Sequence, residues 1–522
     1  MLQKLAFPVH YAALIALCVG LSTSVFLMSL GSIGLALAFL LYGNPLQQLK
    51  KVKQDTYLIA AACFFGIHLI GLCWSTDYAF AFNDLRIKLP ILLFPVLLAA
   101  LPQLSKHQFK ILMRLFVAAT VVSTLISTGI YLEIFPSSRD ISDVRNISPF
   151  VSHIRLSLVI STAILVMVRW IFIGEKSEKI IAPFLIAWLL YFLYILESAT
   201  AYSVLSASML FYIFYQIMHS GKRWVKATFG FSLLLIALVA FLFVRSVFIE
   251  FRTPKETRNN LPEFTPRGEM YHHQLDNDMM ENGYYTWSNV CYAELKKGWN
   301  QRSSIPYDSL DKKNQALSQT LIRYMTSKGL KKDLDGISQL SDEDIRNIEN
   351  GIANINYTKT RGLRKRIEQV FFEFDVYRYY KNATGNSVTQ RLEFWQTATQ
   401  IIQNHPLIGV GTGDAQLAFN AQYEANHSLL PPSNRLRSHN QFLAIGVAFG
   451  IIGIMLFLIY LALPFVKAWE TGNLMFLIFY TGAIISLLTE DTLETQAGVA
   501  YFCFLGALFY YQMPELQDKT SE

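Results

Sequence analysis

RLEFWQTATQIIQNHPLIGVGTGD at 391–414 and RLRSHNQFLAIGVAFGIIG at 435–453 decide how the chain is read, because a polar stretch rich in arginine, histidine and glycine runs straight into an apolar helix. Cations and an imidazole are thereby set at a membrane surface, an arrangement suited to chemistry on lipid-carried anions. The composition around this junction agrees: the 522 residues are 52% hydrophobic and only 16% charged, too apolar for an ordinary soluble domain. Apolar runs long enough to cross a hydrocarbon core are placed at 5–23, 24–43, 57–74, 87–103, 110–134, 150–173, 181–197, 199–218, 227–249, 439–466, 473–489 and 496–512. The fold expected is an all-α polytopic membrane protein of about twelve transmembrane helices. About nine of them form a membrane domain 1–249 and about three a second, 438–522, on either side of one large polar loop domain, 250–437.

The first apolar run continues into the second without a small-residue cleavage site, so it is expected to be retained. Lys50, Lys51 and Lys53, Lys106 and Lys110, Lys176 and Lys179, Lys222, Arg223 and Lys226, and Lys467 fall on alternate, same-side loops. Positive loops stay inside, which makes that side and both termini cytoplasmic. The opposite loops carry Asp77 and Asp84, then Asp140 and Asp143, then Glu490, Asp491 and Glu494. On this parity the 250–437 segment is periplasmic in a bacterium with two membranes, and chemistry there has no ATP or nucleotide sugar to draw on. Cys18, Cys63, Cys73 and Cys503 sit in apolar runs and Cys291 is alone in the polar segment, so no disulfide framework is expected. Nor do cysteines and histidines fall at zinc spacing. The net charge of +7 is set by topology, and no basic stripe interleaved with aromatics suggests nucleic acid.

Within the polar segment, helical patterns at Asn314 to Ser327, Ser341 to Ile355 and Arg364 to Tyr380 predict a mostly helical cap. Asp333, Asp335 and Gly336 read as helix capping, since the glycine is misplaced for a calcium loop and no glutamate closes it. From about 387 the pattern sharpens. Ser387 and Gln390 have capping-box spacing and open a helix with an apolar face of Phe394, Trp395, Ala398, Ile401 and Ile402, ended by Pro406. Arg391 falls in its first turn, where the dipole disfavours a cation, and needs an anion, either a carboxylate or a ligand phosphate. Trp395 can stack on a sugar or pack in the core. Gly409, Gly411 and Gly413 predict a tight turn with Asp414 capping the next helix, although amides there can also meet an anion. Gly446, Gly450 and Gly453 predict close helix packing.

Arg435, Arg437, His439 and Asn440 stand just before the apolar run. Histidine can accept a proton from a sugar hydroxyl, and arginine offers forked donors to phosphate oxygens. Arg86, Lys88, His153 and Arg155 occupy outer helix ends; Arg155 lies several residues inside its run and ranks above Arg139 and Arg145. Glu490, Asp491 and Glu494 share that face and can neutralise the arginines or act as a second base.

Taken together, Arg391 with Trp395, HPLIGVGTGD, HNQFL and the closing GIIG resemble the shared region of the O-antigen ligase and polymerase superfamily, over about 65 residues and in the late position of the long loop. The resemblance implies a metal-independent glycosyltransferase, without cofactors, in the bacterial inner membrane. Its implied donor is an undecaprenyl-diphosphate-linked glycan and its acceptor a hydroxyl on lipid A-core, a growing polymer or a protein. By resemblance Arg391 engages the diphosphate and His439 activates the acceptor; Arg437 is expected among the diphosphate contacts, and Asn440, Trp395, Gly411 and Glu490 in support. Members often carry a Ser-Arg-Gly-like element in a middle helix. Here Glu197, Ser198, Ala199, Thr200 and Tyr202 stand without an arginine, and Arg155 or Lys88 is the expected substitute. A transporter would instead place ionisable or helix-breaking sites at the bilayer midplane in repeated halves, and a sensor would have a polar block that binds alone.

Overall fold

A computed structural model describes residues 2–137, 144–359 and 363–513; Arg139, Asp140 and Asp143 lie outside the described residues, as does the side chain of Arg145. The protein is 72% helical, and the strands among the described residues are the two-residue pair Met280–Glu281 and Tyr284–Tyr285. Among the described residues eight helices are long and apolar enough to cross a membrane, and Val25–Leu41, Leu474–Thr489 and Gln496–Tyr511 are shorter apolar helices. The run expected at 87–103 forms Pro90–Ala100, only 11 residues, because Pro90 restarts the chain after Tyr78–Lys88. A helical membrane protein is therefore what the chain builds.

Two compact units divide the chain: Met1–Gly221, Phe394–Ser428 and Arg435–Glu522 in the first, Lys222–Glu393 and Leu429–Asn434 in the second. The boundaries expected at 249 and 437 follow the ends of the apolar runs, whereas compactness places the 394–428 segment in the first unit.

In the first unit, helix starts follow from local side chains. Ser24, Asp55, Asp77, Ser105, Ser152, Ser198 and Asn473 each cap a helix by accepting a backbone N–H. Ser198, where the family's arginine element was sought, serves here as the cap of Ala199–His219. Small residues let helices approach: a Cβ at Gly482 would meet the Ser208 hydroxyl, and that hydroxyl donates to the Ile478 carbonyl at 3.1 Å. The centre is aromatic, with Phe64 stacked on Phe457 and Tyr460 at ring distances of 5.0 and 5.1 Å.

The element that shapes the site is Gln441–Thr471, a 31-residue helix broken at Gly450, whose φ of 60° and ψ of −153° are not helical. The loop 406–411 mends the break. Val410 and Gly411 donate to the Val447 and Ala448 carbonyls at 3.0 and 2.9 Å, while Ile451 and Ile452 donate to the Pro406 and Leu407 carbonyls at 2.8 and 3.3 Å. Gly450 lies about 14 Å along the helix from its start, and irregular backbone at such depth persists only where protein supplies the hydrogen bonds. Both glycines of the crossing are required by contact. A Cβ at Gly450 would lie 2.5 Å from the Leu407 carbonyl group, and one at Gly409 (φ 65°) would strike the Ala448–Phe449 peptide.

The second unit holds the apolar helix Arg223–Arg252 and a helical subdomain. Leu363–Tyr380 is strapped to the end of that apolar helix by Arg252–Asp375 and Arg364–Glu250 ion pairs, both 2.6 Å, and by Phe371 against Phe248. Trp299, Leu321, Tyr324, Met325, Ile337 and Ile348 form a separate core. Asp333 caps Leu334–Ser338 through Gly336 at 2.7 Å, as its spacing predicted, and Asp335 pairs with Arg267 at 2.6 Å. The expected helices appear as Leu317–Ser327, Asp342–Glu349 and Leu363–Tyr380.

Candidate active site

The glycine turn is a structural brace. Its Val410 and Gly411 amides are committed to the broken helix, and the Gly413 amide donates to Ser75 Oγ at 3.0 Å. Asp414 was expected to cap the next helix, Ala415–Ala425, but makes no side-chain cap there. Its carboxylate instead accepts from the Thr76 and Asp77 amides at 2.9 Å and from the Thr76 hydroxyl at 3.0 Å. The start of Tyr78–Lys88 offers free amides, and a carboxylate is the stronger acceptor for them.

That helix carries Asp84 and Lys88 one turn apart, paired at 2.9 Å. Lys88, only 3% exposed, also reaches Glu494 at 3.0 Å. Arg437 donates to the same carboxylate at 3.0 Å and lies over the Phe80 ring. Gln441 Nε2 donates to Glu494 Oε1 at 3.0 Å, and Gln441 Oε1 accepts from the Leu493 amide at 2.8 Å. Burial alone would raise the Glu494 carboxyl, but Lys88 and Arg437 outweigh it and hold the group well below the usual carboxylate range.

Arg155, 7% exposed, stands in the first turn of His153–Ile173. Its guanidinium meets neutral oxygens: Thr495 Oγ1 at 3.2 Å, Thr492 Oγ1 at 3.3 Å and the Asp491 carbonyl at 3.4 Å. Cations and acids thus converge on the short segment 490–495 between Leu474–Thr489 and Gln496–Val499.

His439 faces the same segment, with Nδ1 at 3.7 Å from Asp491 Oδ1 and 4.0 Å from Glu490 Oε2. Its backbone is left-handed at φ 45°, an uncommon conformation that turns the ring out of the following helix, and its side chain is 31% exposed. Asn440 caps that helix, its Oδ1 accepting from Phe442 and Leu443 at 2.9 and 3.1 Å, while its Nδ2 donates to the Leu488 carbonyl. The imidazole is thus faced by Asp491 and Glu490, and Asn440 serves the backbone. Burial would raise the Asp491 carboxyl, yet the facing imidazole outweighs it and leaves the acid below the usual range. Trp395 Nε1 donates to the Ser438 carbonyl at 2.9 Å and so holds the strand of chain that presents Arg437 and His439.

The site therefore gathers Lys88, Arg155, Arg437, His439, Asn440, Trp395 and Glu490 within the first unit, along with Asp84, Gln441, Thr492 and Thr495, whereas Gly411 belongs to the brace. Arg391, half-buried on Ser387–Asn404, belongs to the second unit. Arg435 pairs with Glu424, and Arg86 donates to Asn83 at 2.8 Å on the surface. His439, Glu490 and Asp491 have ligand atoms within 4.8 Å of one another, close enough to hold a metal ion.

No curated protein matches the chain. Residues 342–458, which include Arg391, the HPLIGVGTGD turn and His439, match the family described as O-Antigen ligase. That match, on the segment that carries Arg437 and His439, supports membership of the O-antigen ligase and polymerase superfamily.

Proposed function

We propose that the protein transfers a glycan from undecaprenyl diphosphate to a hydroxyl acceptor on the periplasmic side of the inner membrane, in the manner of an O-antigen ligase with lipid A-core as acceptor. The observation that carries this reading is the convergence of His439 with Lys88, Arg437 and Arg155 on the 490–495 segment. In this scheme the acceptor oxygen attacks the anomeric carbon as its proton passes to His439 Nε2. The bond from that carbon to the diphosphate oxygen breaks, and undecaprenyl diphosphate leaves. Asp491 on the Nδ1 side keeps Nε2 free to accept, and the 3.7 Å separation shortens as the imidazolium forms. Arg155, Lys88 and Arg437 bind the diphosphate and stabilise the charge that develops on it.

The donor bond is already activated, so transfer needs no energy source at the outer face. The glycan profile of a deletion strain tests the reading: loss of all lipopolysaccharide-linked chains is expected. Single-repeat capping would reassign the protein as a polymerase, and loss confined to glycoproteins as a protein O-oligosaccharyltransferase.

Because protein cations meet the diphosphate charge, chelation is expected to leave the rate unchanged. Purified enzyme in excess EDTA checks this, and a loss restored by a divalent ion would convert His439, Glu490 and Asp491 into ligands.

The orientation is N-in and C-in, with 250–437 outside. Reporter fusions at Lys51 and Lys296 are expected on opposite sides, and same-side signals would relocate the whole site.

A further inference from the structure

Glu494 takes two cations at once. Its carboxylate lies 3.0 Å from Lys88 Nζ and 3.0 Å from Arg437 Nη1, and its side chain is 5% exposed. Gln441 fixes it from a third direction at 3.0 Å. With Asp84 on Lys88 at 2.9 Å, the group comprises two cations and two carboxylates and is electrically neutral. A diphosphate added to such a cluster gains little, since attraction to each cation is offset by repulsion from the neighbouring acid. The conflict disappears if ligand and carboxylate occupy the cation in turn. Arg437 is the partner able to turn: its side chain is 24% exposed, against 4% for Lys88, and among the described residues its ion pair is with Glu494 alone.

We propose that Glu494 is a resident stand-in for the ligand's anion, a positioning residue that presents Lys88 and Arg437 at one point and is exchanged at Arg437 for a phosphate group. The inference rests on the reading of Lys88 and Arg437 as diphosphate ligands. It also assigns specificity. A phospholipid phosphodiester brings one negative charge, no more than Glu494 already supplies, whereas a diphosphate brings at least two. The resident acid thus screens the site against the abundant anionic lipids of the same membrane.

The test is calorimetric binding of inorganic pyrophosphate, with dimethyl phosphate as the monoanionic probe, to the full-length chain purified in detergent. Glu494→Gln is expected to tighten pyrophosphate binding about tenfold or more and to admit dimethyl phosphate, a gain that mere loss of structure cannot produce. Glu494→Asp, which keeps the charge but withdraws it by one methylene, is expected to give a smaller gain in the same direction, and it decides the matter if the Gln variant is not recovered folded. Unchanged or weaker pyrophosphate binding in these variants overturns the exchange. Arg437→Gln separates the two levels of the argument: if it abolishes binding while Glu494→Gln gives no gain, only the exchange fails. If it leaves wild-type binding untouched, Arg437 is not a diphosphate ligand and both fail.

Discussion

Replacing His439 with alanine is expected to lower the rate of glycan transfer by about a hundredfold or more, the usual contribution of a positioned general base, with membrane insertion intact. The side chain is partly exposed and makes one ring contact, to Phe394 at 5.8 Å, so its removal costs little packing. Transfer by the purified variant from an undecaprenyl-diphosphate donor is the measurement; a near-normal rate would demote His439 and shift the base to Glu490 or Asp491. The pH profile supplies a second reading. A histidine base must be neutral, so activity should fall as the pH is lowered and the ring gains a proton. Asp491 and Glu494 are both held below the usual carboxylate range. Their ion-pair contributions are therefore fully present above the ordinary carboxylate range and are lost only as the pH falls through the lowered values. Asp84 is the competing titration, because burial keeps its carboxyl above the usual range despite Lys88. An acid limb that Asp84→Asn removes belongs to Asp84.

Gly450→Ala is expected to be the most destabilising single methyl in the membrane unit. The backbone at φ 60° and ψ −153° lies in a region open essentially to glycine alone. The added carbon would also stand 2.5 Å from the Leu407 carbonyl group, well inside contact distance. Strain and overpacking together amount to about 3 kcal/mol or more. The midpoint of thermal inactivation should drop steeply, or the protein should fail to leave the membrane as a single species. Gly66→Ala is the control, since a Cβ there meets nothing within 4 Å. Equal behaviour of the two variants would mean that the loop does not brace the helix.

The helical membrane class and the cations at helix ends were legible because hydrophobic length and charge position act locally. Apolar runs mark helices whatever they pack against, and cations at helix ends are costly enough to advertise themselves. Asp333 was readable as a cap for the same reason: its partner is three residues away. What could not be read was which distant groups answer each charge. Asp414 was assigned to its neighbouring helix and serves instead the amides of Thr76 and Asp77, 338 and 337 residues earlier. Lys88 was read as a diphosphate contact, and its resident partners are Asp84 and Glu494. The first pairing follows an i, i+4 spacing that was open to inspection, whereas the second crosses 406 residues. Gly450 was read as one of three packing glycines. A helix that breaks and is repaired by a loop from elsewhere leaves no periodic trace, since the apolar run continues unbroken through the fault.

The mended helix also constrains the order of biogenesis. The repairing loop 406–411 is synthesised before Gln441–Thr471, so when that helix enters the bilayer its partner already exists. Until the two meet, the span can close as an unbroken helix, the Ile451 and Ile452 amides donating to the Val447 and Ala448 carbonyls, and the loop then exchanges those bonds for its own. Insertion of this span can thus precede capture of the loop, and the break at Gly450 is made by tertiary contact after the helix is in place.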